Sequence, residues 1–198
     1  IAAYESAIER DPSRQSAWSG LGVALRIQGR LPQAIAALQQ AIALPGAGAA
    51  IWQNLGSTLA QDAQHHGAVD ALSRAIGLQP DDAQTHNALG NSLLALGEWA
   101  SAEAAYRQAL EHEPLSPVYR TNLGILLQRR GKPEAAMDAF EAAIAEDPAY
   151  VDAYTHFGLL LRAGGHIEPA IATWRRGLSI RPTPEAWLNL ASALIELG

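Results

Sequence analysis

Cysteine is missing from this chain of 198 residues. Disulfides, zinc ribbons, iron–sulfur clusters and thiol nucleophiles are excluded with it. Lysine occurs once, at Lys132, and every other basic side chain is an arginine. Acidic residues outnumber basic ones by 20 to 14, giving a net charge of −6. An electrostatic binder of nucleic acid is normally basic, so no nucleic-acid partner is expected. The same balance disfavours an anionic membrane surface. No apolar run approaches the roughly 18 residues of a membrane span, so no membrane insertion is expected either. The opening Ile1-Ala2-Ala3-Tyr4-Glu5 has no basic leader and no apolar signal core. A soluble, cytoplasmic setting is the expectation, with the compartment itself unassigned.

Motifs of small-molecule chemistry are also lacking. There is no GxxxxGK[ST] phosphate loop, no GxSxG and no HExxH. The six histidines, His65, His66, His86, His112, His156 and His166, show no metal-site spacing. No metal, no cofactor and no catalytic residue is therefore assigned. Asp81-Asp82 and Glu111/Glu113 fall at expected helix ends, where capping and the helix dipole account for acidic side chains before acid–base catalysis does.

What is present is alanine, about a fifth of the chain, within a composition that is 48% hydrophobic. That favours helices and a real core and excludes disorder. An alanine- and arginine-rich, lysine-poor composition also fits a GC-rich bacterial genome.

The dominant signal is a repeat. Glycines that follow leucine or phenylalanine stand at 22, 56, 90, 124 and 158, always 34 residues apart. Let the residue seven before each be position 1. Position 7 then reads Leu21, Leu55, Leu89, Leu123, Phe157, and position 11 reads Leu25, Leu59, Leu93, Leu127, Leu161. Position 20 is Ala34, Ala68, Ala102, Ala136, Ala170; position 24 is Leu38, Leu72, Tyr106, Phe140, Trp174; position 27 is Ala41, Ala75, Ala109, Ala143, Gly177. Pro80, Pro114, Pro148 and Pro182 close four units at position 32. Positions 4, 7, 8 and 11 form one helical face, and positions 20, 24 and 27 form another. Small residues let the two helix axes approach, and a large residue at position 24 fills the space left. Gly29, Gly97, Gly131 and Gly165 suit the turn between the helices, where a left-handed residue ends a helix.

This pattern resembles the tetratricopeptide repeat, a helix–turn–helix unit of 34 residues. The resemblance implies an all-α fold, a right-handed superhelical solenoid of antiparallel helix pairs. It implies a single array over 1–198, with complete repeats at 15–48, 49–82, 83–116, 117–150 and 151–183. Residues 1–14 match the second helix of a preceding repeat, and 184–198 the first helix of a sixth. Such an array starts and stops in mid-unit, so the chain is expected to be a piece of a longer protein. Its exposed terminal helices are candidates for self-association. Three departures stand out. Pro45 comes one place early, which predicts a loose connection at Leu44–Gly48; Ala63 stands where glycine is usual, which predicts a displaced turn; and Ala191 replaces the glycine of the last helix. Trp18, Trp52 and Trp187 at position 4 are expected to pack.

The family holds peptides in a concave groove lined by its first helices. The resemblance thus implies a peptide or protein partner and a groove of Gln53, Asn54, Ser57, Asn87, Asn91, Thr121, Asn122, Gln128, Arg129, Thr155, His156, Arg162 and Asn189. That lining is mostly polar and uncharged, and amides suit a peptide backbone because each offers donors and an acceptor. Asn54, Asn122 and Asn189 share position 6, similar to the asparagine ladder of O-linked N-acetylglucosamine transferases, with breaks at Gly20, Ala88 and His156. The leading expectation is a protein-interaction scaffold without catalysis of its own. The alternative is the substrate-recognition arm of a larger enzyme, such as an O-linked glycosyltransferase.

Overall fold

The computed structural model describes residues 1–198. They form twelve α-helices: α1 (Ala2–Arg10), α2 (Gln15–Ile27), α3 (Leu31–Ala43), α4 (Ala49–Gln61), α5 (His65–Leu78), α6 (Ala83–Ala95), α7 (Trp99–His112), α8 (Pro117–Arg129), α9 (Pro133–Glu146), α10 (Val151–Ala163), α11 (Ile167–Ile180) and α12 (Pro184–Leu197). No residue is in a strand. The four closing prolines lie just past the ends of α5, α7, α9 and α11, where a residue without an N–H cannot continue the helix. Pro117, Pro133 and Pro184 instead begin helices, where that N–H would be unpaired anyway.

The turn inside each repeat is built five times over. Gly29, Gly97, Gly131 and Gly165 take positive φ of 70–80°, and in each case the next N–H reaches back to a leucine carbonyl of the preceding helix. In the second repeat the turn is not displaced. Ala63 itself adopts φ 58°, and Gln64 N–H donates to Leu59 O at 2.8 Å like its counterparts. The tertiary spacing of α4 and α5 overrides the side chain's preference. A left-handed L-residue costs ~1–2 kcal/mol, whereas glycine adds ~0.5–1 kcal/mol of unfolded-state entropy. Ala63→Gly should therefore stabilise the protein by a few tenths to ~1 kcal/mol. Equilibrium urea unfolding checks the sign, and a loss of stability would contradict it.

The chain divides into two compact units, Ile1–His112 and Glu113–Gly198. In the first, α2, α4 and α6 each pair with the helix that follows, and α2 touches α4 as α4 touches α6. In the second, α8 pairs with α9 and α10 with α11; α10 also touches α8 and α12. At the end of α3, before the Leu44–Gly48 connection, Gln15 Nε2 donates to Ala41 O at 2.9 Å and Leu44 O at 3.3 Å.

The core follows the repeat columns. The position-20 alanines and the position-24 side chains Leu38, Leu72, Tyr106, Phe140 and Trp174 are all 0% exposed. Each position-24 side chain lies against the position-8 glycine of its own repeat. A Cβ on Gly56 would stand 2.6 Å from Leu72 Cγ, and one on Gly124 would stand 2.7 Å from Phe140 Cε1. Position 8 must lack a side chain so that position 24 can have a large one. Burying each such side chain contributes about 1.5–3 kcal/mol. In α12, Ala186, Leu190 and Ala193 are buried, whereas Ala191 is exposed. Trp187 is 55% exposed, so packing does not account for it as it does for Trp18 and Trp52.

Candidate peptide-binding faces

The first helices are anchored by a hydrogen bond that recurs under changing chemistry. At position 4, Trp18 Nε1 donates to Pro12 O at 2.8 Å, Arg120 Nη2 to Pro114 O at 2.7 Å and Tyr154 Oη to Pro148 O at 3.1 Å. His86 Nε2 meets Pro80 O at 2.8 Å, and a carbonyl partner makes that nitrogen the donor. Four unrelated side chains thus satisfy the same carbonyl, six residues upstream. Trp52, with Gly46 six residues before it, makes no such bond. Instead the Arg74 guanidinium sits 5.3 Å from the Trp52 ring centroid, as Arg176 does at 5.5 Å from Tyr154.

In the first unit, α4 and α6 present Gln53, Asn54, Ser57 and Asn87 half-buried and Asn91 exposed. Two of these side chains already hold the fold. Gln53 Nε2 donates to Asp82 Oδ2 at 2.7 Å, and the same carboxylate caps α6 by accepting from Thr85 N–H at 3.2 Å and from the Thr85 hydroxyl. Asn91 Oδ1 accepts from Tyr106 Oη at 2.7 Å, which satisfies a phenol on a ring that is otherwise buried. The side chains of Asn54 and Ser57 have no protein partner.

In the second unit, Asn122, Gln128, Thr155, His156, Arg162 and Asn189 are half-buried, Arg129 is exposed and Thr121 is buried at 2% exposure. Thr155 Oγ1 donates back to Val151 O at 3.3 Å. Between α10 and α12 lies an open cavity of about 440 Å³, lined by Asp152, Thr155, His156, Leu159, Thr183, Glu185, Leu188 and Asn189. It brings together three of the expected groove residues, Thr155, His156 and Asn189, and adds two carboxylates. His156 stacks on Phe140 with ring centroids 6.2 Å apart. Burial lowers its pKa from the ordinary 6.5; the Arg129 charge lowers it further and Asp152 opposes both, so His156 is neutral at pH 7. Beside the cavity, the Tyr150 phenol is pushed up to about 12 by burial, by the Asp152 charge and by its hydrogen bond to Asp152, with Arg181 acting against them. A second cavity, about 540 Å³, opens at the turn end of this unit; Gln128, Met137, Leu160 and His166 are among its lining residues. No group of three histidine or acidic side chains stands close enough to hold a metal ion. No helix is long and apolar enough to cross a membrane.

Antiparallel helix pairs, repeated and presenting a polar face on their first helices, define an all-α helical-repeat scaffold. Models of the tetratricopeptide repeat match residues 1–49, 28–83, 54–110, 87–151 and 127–194. The chain belongs to the tetratricopeptide repeat family, whose members are protein-interaction scaffolds. No curated protein matches it. Among solved structures, a tetratricopeptide repeat protein from Parabacteroides merdae ATCC 43184 is similar at a TM-score of 0.86 and 19% identity, over 99% of this chain and 78% of that one. A chain of the APC/C hetero-tetramer Cut9–Hcn1 is similar at 0.78 and 22% identity; the match covers 96% of this chain but spans only 38% of that chain's length. YrrB, described as a tetratricopeptide repeat protein with an unusual peptide-binding site, is similar at 0.70 and 20% identity, over 96% of this chain and 98% of that one.

Proposed function

We propose that this chain is a non-catalytic scaffold that holds an extended peptide segment of a partner protein against its first-helix faces. The observation that carries this reading is the set of half-buried polar side chains without a protein partner on those faces: Asn54 and Ser57 on α4, Asn189 on α12. An amide free to donate and accept at once matches a peptide backbone of any sequence. The peptide-binding site of YrrB is a precedent within the same fold. The glycosyltransferase-arm alternative finds no support in the family match or in the structures named.

Peptides selected from a random display library against the 198-residue chain test the proposal. A backbone hydrogen bond is worth roughly 0.5–1.5 kcal/mol, so removing one or two should weaken binding about fivefold. Asn54→Ala with Ser57→Ala, or Asn189→Ala, should show that loss by fluorescence anisotropy at an unchanged melting temperature. Wild-type affinity in both variants would show that these faces are not used. Gln53 and Asn91 are left intact, because their amides serve the α6 cap and Tyr106.

A further inference from the structure

The cavity between α10 and α12 differs from the rest of the first-helix faces. At position 5 the other repeats carry Ser19, Gln53, Asn87, Thr121 and Thr155, but α12 carries Leu188, which is 69% exposed. Leu188 and Leu159 give the cavity an apolar wall. Its rim holds two carboxylates, Asp152 in the first turn of α10 and Glu185 in the first turn of α12. No cationic side chain lines it. Each helix N-terminus contributes about half a positive charge, which a full carboxylate outweighs. The other end of the cavity is neutral at pH 7, where His156 lies, with Arg129 beyond it.

We propose that this cavity is a specificity pocket for a basic side chain of the bound peptide, an arginine or lysine next to an apolar residue. Its aliphatic stem lies along Leu159 and Leu188, and its charged head meets Glu185 and Asp152. This rests on the reading that the first-helix faces bind peptide. Asp152 has a solvated partner already: the Arg181 guanidinium stands 3.6 Å from it, with both side chains more than half exposed. Such a solvated pair is weak and exchangeable. Glu185 has no ion-pair partner, so a ligand cation breaks nothing there.

The pocket is tested with a matched pair of small probes, N-acetyl-leucyl-arginine amide and its citrulline counterpart. The two differ in charge and scarcely in shape. Titration of the full chain, followed by two-dimensional amide NMR, should show the arginine probe binding at least fivefold more tightly. Shifts should centre on Thr155, His156 and Asn189. The preference should shrink from 50 to 500 mM salt by screening and fall at least twofold in Glu185→Gln. Equal binding of the two probes, absence of binding, shifts centred elsewhere, or a preference undiminished in Glu185→Gln would each overturn the pocket. Those results leave the peptide-scaffold reading standing if library-selected peptides still depend on Asn54, Ser57 or Asn189; loss of that dependence overturns the scaffold reading instead.

Discussion

Gly124→Leu should lower the melting temperature by roughly 4–8 °C. Phe140 fills the space beside Gly124, with its ring atoms within 3.0 Å of where a Cβ would stand. Phe140 is 0% exposed, and Leu127, Ala136 and Ala139 belong to the same buried cluster, so the ring cannot swing aside. Leucine adds three further carbons beyond that Cβ. Either α8 moves off α9 or Phe140 leaves its rotamer, and overpacking of this kind, at the upper end of its usual range, costs ~3 kcal/mol. The better helix propensity of leucine returns less than ~1 kcal/mol. At ~2–4 °C per kcal/mol for a chain of this size, the net effect is the drop stated. Circular dichroism or calorimetry reads it directly. An unchanged melting temperature would mean that Gly124 does not face Phe140, and the repeat alignment itself would be wrong.

The complementary change empties the same kind of site. Trp174→Ala should destabilise the protein by about 3–5 kcal/mol, the range for truncating a buried aromatic side chain. Trp174 is 0% exposed, belongs to the cluster of Leu161, Ile171, Leu178 and Leu190, and donates Nε1–H to Thr155 O at 3.2 Å. Its ring rests on Gly158, which has no side chain with which to fill the void. Trp174→Phe should cost less than half as much, because phenylalanine already occupies this column at Phe140. Equilibrium denaturation of the two variants side by side makes the comparison. If alanine and phenylalanine were equally harmful, lost volume would not be the cause.

Most of the scaffold was legible in the sequence, because it depends on volume at fixed spacing. A glycine every 34 residues, with a large apolar side chain 16 places later, states that one helix must touch another at that point. The glycine contacts at Leu38, Leu72, Tyr106, Phe140 and Trp174 are that statement in space. Less legible was what depends on hydrogen bonding. Position 4 holds Trp18, His86, Arg120 and Tyr154, which share no size, charge or hydropathy; only geometry reveals that each reaches a proline carbonyl. Ala63 showed the limit of turn chemistry, since five equivalent turns impose one backbone path whether or not the residue favours it.

The candidate site was legible as a set of positions and not as a set of free groups. Gln53 and Asn54 are neighbours with similar amides, yet one is held by Asp82 and the other is open. Thr121 shares a column with Thr155 but is buried. The acidic rim escaped notice because Asp152 and Glu185 sit in first turns, where a carboxylate is explained by the helix dipole alone. Their meeting across one cavity required the packing of α10 on α12.

Within each compact unit, a helix touches only those one or two places away along the chain. Almost no entropy is therefore spent closing long loops, and topology of this kind assembles rapidly, on the order of microseconds to milliseconds. The same locality makes stability a sum over neighbours instead of a property of the whole. A lesion at Gly124 or Trp174 is therefore felt most by the helix pairs beside it.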